Sequence, residues 1–117
     1  MALIRPFVPA QDFAKSCAFY EAIGFVPGYR DETIAIFEYE EAGILLQNYY
    51  VKAFAENCML QFFAGDLDRW WLRTADLVER FGVQPPRAPE PTPWGLRVGF
   101  LFDPSGVLWH VSETLPV

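Results

Sequence analysis

His110 is the only histidine in the 117 residues, and an imidazole is the side chain best suited to moving a proton or holding a metal near neutral pH. It stands four residues after Gly106, in the stretch from Pro93 to Val111 that reads as a strand, an Asp103-Pro104-Ser105-Gly106 turn and a second strand. A single histidine needs companions to do chemistry. Cys17 lies on a helix and Cys58 at a strand start; with no second histidine to serve as base, and free cysteine among the most buried residue types, both are expected in the core. Glu38 with Glu40 or Glu41 would make a pair of carboxylates, but acids clustered on a hairpin usually form a solvated turn. No serine-centred elbow or glycine-rich phosphate loop occurs, and Gly95-Leu96-Arg97-Val98-Gly99 is too sparse to count as one. The residues offer no convincing catalytic set, and no catalytic residue is expected.

Rings are what the chain has in surplus: 17% of it is aromatic, rich for so small a protein. Trp94 follows a proline-rich loop at a strand start, where a large ring is hard to bury within one subunit, so contact with a ligand or a second copy is as good a reading as core packing. Trp70 and Trp71 are neighbours on a helix and cannot share a face, so at least one belongs near the surface. Phe62 and Trp109 read as core.

The elements that must carry these side chains follow from periodicity and punctuation. Residues 1–8 read as a strand, after which Asp12 caps a helix through Phe13, Cys17, Phe19, Tyr20 and Ile23, ended by Gly24. Extended stretches follow at 25–29, 33–39 and 43–49, then a linker at 50–57. The pattern restarts with a strand at 58–64 and a helix capped by Asp66, carrying Leu67, Trp70, Trp71, Leu77, Val78 and Phe81 and closed by Gly82. A proline-rich loop at 85–93 and the hairpin around residues 103–106 complete it. Asp12 and Asp66, Gly24 and Gly82, and Gly43 and Gly106 register the halves as two copies of a unit of about fifty residues. The expectation is one α+β domain over 1–117, built of two pseudo-symmetric β-α-β-β-β modules, about 1–50 and 57–117. Their sheets should pair edge to edge and leave a concave cleft.

Composition narrows the partners. With 15 acidic and 9 basic residues the net charge is −6, which repels phosphate backbones and favours cations, so no nucleic-acid partner is expected. No apolar run reaches the roughly 18 residues of a membrane span, so no membrane partner is expected either. Two cysteines without a secretory leader argue against a disulfide framework and for the cytoplasm.

Two stretches carry a family likeness, Ser16-Cys17-Ala18-Phe19-Tyr20-Glu21-Ala22-Ile23-Gly24-Phe25 and the Trp94 to His110 hairpin. They resemble the glyoxalase, bleomycin-resistance and ring-cleaving dioxygenase superfamily, over roughly residues 3 to 114. The resemblance implies paired modules with metal-ligand positions seven residues before each capping aspartate, here Arg5 and Met59, and four after each strand glycine, here Gln47 and His110. A guanidinium is a permanent cation without a lone pair and a thioether is a soft donor, so this set does not suit a divalent ion, and neither metal nor cofactor is expected.

Pro93-Trp94-Gly95, Asp103-Pro104-x-Gly106 and His110 look like the drug-sequestering branch of that superfamily. This likeness implies a non-catalytic homodimer that clasps a flat cationic glycopeptide between aromatic rings. Trp94 matches the binding tryptophan, Tyr29 a binding aromatic and Gln47 a polar cleft residue, while Ile34 falls where an aromatic is usual and Gln61 where a tryptophan occurs. Strand parity adds Tyr49, Phe63 and His110 to the cleft face, along with Leu45, Met59, Leu108 and Ser112. The expected ligand contacts are therefore Tyr29, Ile34, Gln47, Tyr49, Gln61, Phe63, Trp94 and His110. Asp31, Glu32, Glu38, Glu40 and Glu41 would steer a cation to them, or else are a solvated hairpin. Pro6 and Pro9 fit a hinge for a first strand exchanged between subunits, or edge protection. The alternative is a metal-dependent lyase, thiol transferase or dioxygenase of the same superfamily with an unusual site.

Overall fold

In the computed structural model, which describes residues 2–116, β1 (Phe7–Pro9) is only three residues long. The expected strand over 1–8 is thus cut to its end, and Met1 lies outside the described residues. Prolines at 6 and 9 carry no backbone N–H, and residues 2–5 pair with no strand among the described residues. Asp12 accepts a hydrogen bond from the Lys15 N–H at 3.1 Å and starts α1 (Phe13–Ala22); Gly24, at φ 98°, then turns the chain into β2 (Val26–Arg30). The antiparallel β3 (Ile34–Tyr39) and β4 (Ala42–Gln47) complete a sheet in the order β1-β4-β3-β2, with β1 and β4 parallel.

The supposed linker contains a helix, α2 (Lys52–Asn57). Its alanines favour helix, Lys52 and Glu56 pair one turn apart at 3.7 Å, and the Asn57 amide donates to the Ala53 carbonyl. The second half then repeats the first with β5 (Met59–Phe63) and α3 (Leu67–Trp71), capped by Asp66. The single helix expected over 67–81 is broken. The Thr74 hydroxyl donates to the Trp71 carbonyl in a 3₁₀ turn (Leu72–Thr74), and the chain restarts as α4 (Leu77–Phe81), closed by Gly82 at φ 65°. Part of the proline loop is a strand, β6 (Arg87–Pro91). It lies at a sheet edge and is bulged between Arg87 and Glu90, the setting in which prolines are tolerated. With β7 (Leu96–Phe102) and β8 (Leu108–Thr114) the second sheet runs β5-β8-β7-β6, the order and strand senses of the first. The molecule is the expected α+β pair of modules.

Among the described residues the two sheets share no hydrogen-bonded edge, which corrects the edge-to-edge expectation. Three residues of β1 offer too little backbone for such a ladder. A cavity of about 200 Å³ lies at the junction instead, lined in part by Ile4, Pro6, Gly43, Leu60, Gln61 and Trp109. What joins the halves is a common aromatic core on the helix side. Phe19 of α1 meets Phe81 of α4 at 5.5 Å, and Phe25 meets both Phe62 and Trp109, at 5.5 and 5.7 Å. Such ring pairs contribute about 0.5–1.5 kcal/mol each beyond buried area. One polar thread runs through it. The Tyr20 hydroxyl donates to Asp103 Oδ2 at 2.6 Å and accepts from the Trp109 indole N–H at 3.1 Å, while Asp103 Oδ1 accepts the Ser105 and Val107 N–H groups. The turn between β7 and β8 is thereby pinned to α1, and Ser105 Oγ takes the Gln11 N–H as well.

Candidate functional site

Cross-strand register decides which side chains stand beside one another on the sheet faces turned away from the core. In the second module Gln61, His110 and Phe100 form one row across β5, β8 and β7, and Arg87 of β6 extends it. Phe63, Ser112, Val98 and Glu90 form the next. Neighbouring strands are about 4.8 Å apart, so each row is a strip roughly 15 Å long. The parity of β5 and β8 is as expected: Phe62 and Trp109 are buried, whereas Met59 and Phe63 are exposed and His110 half-exposed. Ser112 shares the His110 face but is fully buried, its hydroxyl turned to the His110 carbonyl at 3.2 Å.

The His110 ring stands edge-on to Phe100, with centroids 4.9 Å apart. Phe100 was not among the residues expected at the site. It was findable, because folding the hairpin about residues 103–106 pairs 102 with 108 and hence 100 with 110.

Trp94 sits at the tip of the β6–β7 hairpin. Thr92 and Leu96 close the loop, N–H to carbonyl at 2.7 Å, and Gly95 at φ 85° supplies the left-handed residue that a three-residue hairpin loop needs. Trp94 is 69% exposed.

In the first module Pro9, Gln47 and Ile34 form the corresponding row across β1, β4 and β3. Tyr29 lies on β2 next to Arg30, whose guanidinium turns onto the Phe13 ring on the helix side, so the tyrosine takes the open side. Its hydroxyl donates to Asp31 Oδ2 at 2.8 Å. The backbone N–H groups of Thr33 and Ile34, then the Tyr29 and Thr33 hydroxyls, hold the Asp31 carboxyl well below the usual range, and the Tyr29 phenol is raised in return. Tyr49 follows β4, its carbonyl bonded by the Ala10 N–H. Tyr29, Tyr49 and Phe63 are all more than half exposed.

The structure thus brings Ile34 and Gln47 together with Tyr29 on the neighbouring strand, and Gln61 with His110. The first three stand on one sheet, with Tyr49 just past β4; Gln61, Phe63 and His110 stand on the other, with Trp94 at the tip of its β6–β7 hairpin. No hydrogen bond or ring contact links the two groups among the described residues.

Two expectations about charge and metal need correcting. Glu38 is not free to steer a ligand alone, because Arg5 approaches it at 3.6 Å; Glu32, Glu40 and Glu41 make no ion pair among the described residues. Arg5 is also not the counterpart of Met59. Met59 stands opposite Leu108, two residues after Gly106, and the residue opposite Leu45, two after Gly43, is Phe7. The link from strand to cap is shorter by two residues in the first module. The four symmetric positions are therefore Phe7, Gln47, Met59 and His110, a phenyl, an amide, a thioether and one imidazole. That donor set does not fit a divalent ion, and among the described residues no cluster of three or more His, Cys, Asp or Glu stands elsewhere to replace it.

Comparison with proteins of known structure agrees with this architecture. A bleomycin-binding protein complexed with bleomycin superposes with a TM-score of 0.83 at 23% identity, covering 97% of this chain and 99% of that one. TnmS3, an antibiotic binding protein from Streptomyces sp. CB03234, gives 0.75 at 24% identity over 97% of each chain. A lactoylglutathione lyase from Agrobacterium tumefaciens gives 0.69 at 19% identity, over 97% and 94%. No curated protein matches the sequence. No helix is long and apolar enough to cross a membrane among the described residues. Residues 3–111 match the sequence profile of the Glyoxalase/Bleomycin resistance protein/Dioxygenase superfamily, and the chain belongs to that family.

Proposed function

We propose that this protein sequesters a flat, aromatic, cationic small molecule, an antibiotic of the bleomycin type or a related compound, without transforming it. One observation carries the reading. The core is already sealed by its own interlocked rings, yet Tyr29, Tyr49, Phe63 and Trp94 remain more than half exposed on the open sheet faces and the hairpin tip. Rings kept in water at that cost suit a partner with a π-face. Stacking contributes about 0.5–1.5 kcal/mol beyond area, and a cation over a ring up to about 2 kcal/mol when desolvated.

The net charge of −6 and Glu32, Glu40 and Glu41, which make no ion pair among the described residues, favour a positive ligand. The contacts in this reading are Tyr29, Ile34, Gln47, Tyr49, Gln61, Phe63, Trp94 and His110, joined by Phe100. The binding unit is a homodimer of single-domain chains, which would cover the exposed Ile4, Phe7 and Met59 and let rings from two sheets face each other. Free Cys17 and Cys58 fit a reducing cytoplasm.

The test is a tryptophan-fluorescence titration with metal-free and copper-loaded bleomycin at low and moderate salt, with an inner-filter control. Saturable quenching near one drug per chain, weakened by salt, is the expected result. Trp94→Ala should weaken binding by about 2 kcal/mol while leaving the unfolding midpoint in place. A flat titration, with stoichiometric binding of a divalent metal instead, would overturn the reading in favour of the enzymes of the superfamily.

A further inference from the structure

β6 and the loop behind it have little to hold them. The strand lies at a sheet edge, is bulged, is mostly exposed, and pairs only with β7. Yet the hairpin they form carries Trp94 at its tip. On the helix side of this hairpin stands Trp71, the half-exposed neighbour of the buried Trp70. Trp70 fixes α3 to the core, its ring 5.5 Å from Phe62, and Trp71 projects from the next position around the helix.

Its benzo ring lies directly on the backbone of Gly99 in β7. A Cβ built there would meet the indole at 2.6 and 2.7 Å and the ring of Pro89, in β6, at 3.0 Å. Gly99 has no left-handed φ, so it is glycine for space and not for conformation. The indole therefore rests on β7 at Gly99, a spot that Pro89 of β6 also crowds. Arg97, two residues nearer the tip and on the same face, adds ion pairs to Asp68 of α3 and Glu113 of β8. The Asp68 partner is exposed, so that pair contributes little, and the indole is the principal grip.

We infer that Trp71, seated on Gly99 where Pro89 also closes in, is a positioning residue for the ligand site: it sets the tilt of the β6–β7 hairpin and so the place of Trp94. The inference rests on the sequestering function proposed above for Trp94, but its geometry is testable without any ligand.

Gly99→Ala displaces the indole by steric conflict with fixed backbone, and Trp71→Leu removes it; if the second fails to fold, Pro89→Ala trims the β6 side chain that crowds the same spot on Gly99. Amide hydrogen exchange at Thr92, Leu96 and Val98 should accelerate at least tenfold, while the β3–β4 amides of the first module keep their rates. In titrations with metal-free bleomycin Gly99→Ala should lose about tenfold in affinity, and should lose nothing more when added to Trp94→Ala. Unchanged exchange in the hairpin overturns the inference whatever the drug does. So does an equal loss of affinity with and without Trp94, which would mark a general effect on the fold. Wild-type protein that ignores bleomycin would sink the proposed function, and the exchange rates would still decide the role of Trp71.

Discussion

The two modules share strand order, strand senses and register, and they spend their side chains differently. Where the first places Pro9, Gln47 and Ile34 across its sheet, the second places Gln61, His110 and Phe100. Where the first leaves Tyr49 in water, the second buries Ser112. The hairpin turn of the first, Glu40-Glu41, is exposed, with Glu40 at a left-handed φ of 52°; that of the second holds Asp103 buried against Tyr20 of the other module. A duplicated backbone does not require duplicated roles. One copy supplies an acidic, tyrosine-bearing face, and the other supplies an imidazole, its phenyl partner and the keystone of the shared core.

The two structural aspartates sharpen that contrast, and the larger effect belongs to Asp103. Asp103→Ala would strand the Tyr20 hydroxyl and the Ser105 and Val107 N–H groups in the interior, at a cost of about 3 kcal/mol or more in a urea titration. Asp31→Ala, removing an exposed carboxylate, should cost much less.

Their pH windows differ as well. Burial pushes Asp103 up to about 6, above its unfolded value of 3.8. The folded state therefore holds a proton that the unfolded state releases, and stability should rise as pH falls from about 6 toward 3.8, by up to roughly 3 kcal/mol. Asp31 is held below the usual range, so its stabilisation persists through that window and is lost only at lower pH. Urea midpoints at pH 7.5, 5 and 3 check the signs: Asp103→Asn should abolish the gain at pH 5, and Asp31→Asn should lessen the loss at pH 3.

Much of this contrast was legible in the residue order. Asp12 and Asp66 cap their helices, Gly24 and Gly82 end them, and strand parity sorts Phe62 and Trp109 inward from Met59 and Phe63. Those signals are local. The errors lie where tertiary context outweighs local preference. Asp103 reads as an ordinary turn aspartate, and only its partner 83 positions away makes it buried. β6 is hidden by prolines that only an edge strand admits, and α2 by its short length. Arg5 stands two residues from the position matching Met59 because the connection from strand to cap differs in length between the modules, which the cap alone does not reveal. Among the candidate site residues, pairings within a sheet follow from parity and turn position. Whether the two sheets face one another across a ligand, and whether the proposed second chain takes part, is a matter of tertiary and quaternary arrangement, which no local pattern encodes.

The helix-ending glycines offer a smaller test of the same asymmetry. Both occupy left-handed backbone, which disfavours a Cβ by about 1 kcal/mol. Around Gly82 the space is open, so Gly82→Ala should cost only that. At Gly24 the added carbon would meet Arg73 Nε at 2.9 Å and the Tyr39 ring at 3.3 Å, and the Arg73 guanidinium lies over that ring. Gly24→Ala should therefore cost about 2 kcal/mol by denaturant unfolding, since displacing a side chain packed on a ring adds to the backbone strain. Equal costs would mean that the contact between the 3₁₀ turn after α3 and the first module gives way freely.

The smallest expected effect asks whether the second module's open face owes its distinct part to the pairing of His110 with Phe100. Phe100→Ile installs the residue that the first module carries at the matching place, Ile34, and keeps an apolar side chain on a strand that favours β-branching. The edge-on contact between the rings is lost, an interaction of about 0.5–1.5 kcal/mol, and His110 gains freedom at a position proposed to touch the ligand. Binding of metal-free bleomycin should weaken about fivefold with little change in the unfolding midpoint. His110→Gln, which copies Gln47, should weaken it by a similar factor, and the double variant should lose less than the two factors multiplied, because each single change already breaks the shared contact. If the losses multiply in full, the two rings act on the ligand independently. The second module would then differ from the first by two separate contacts and not by one coupled pair.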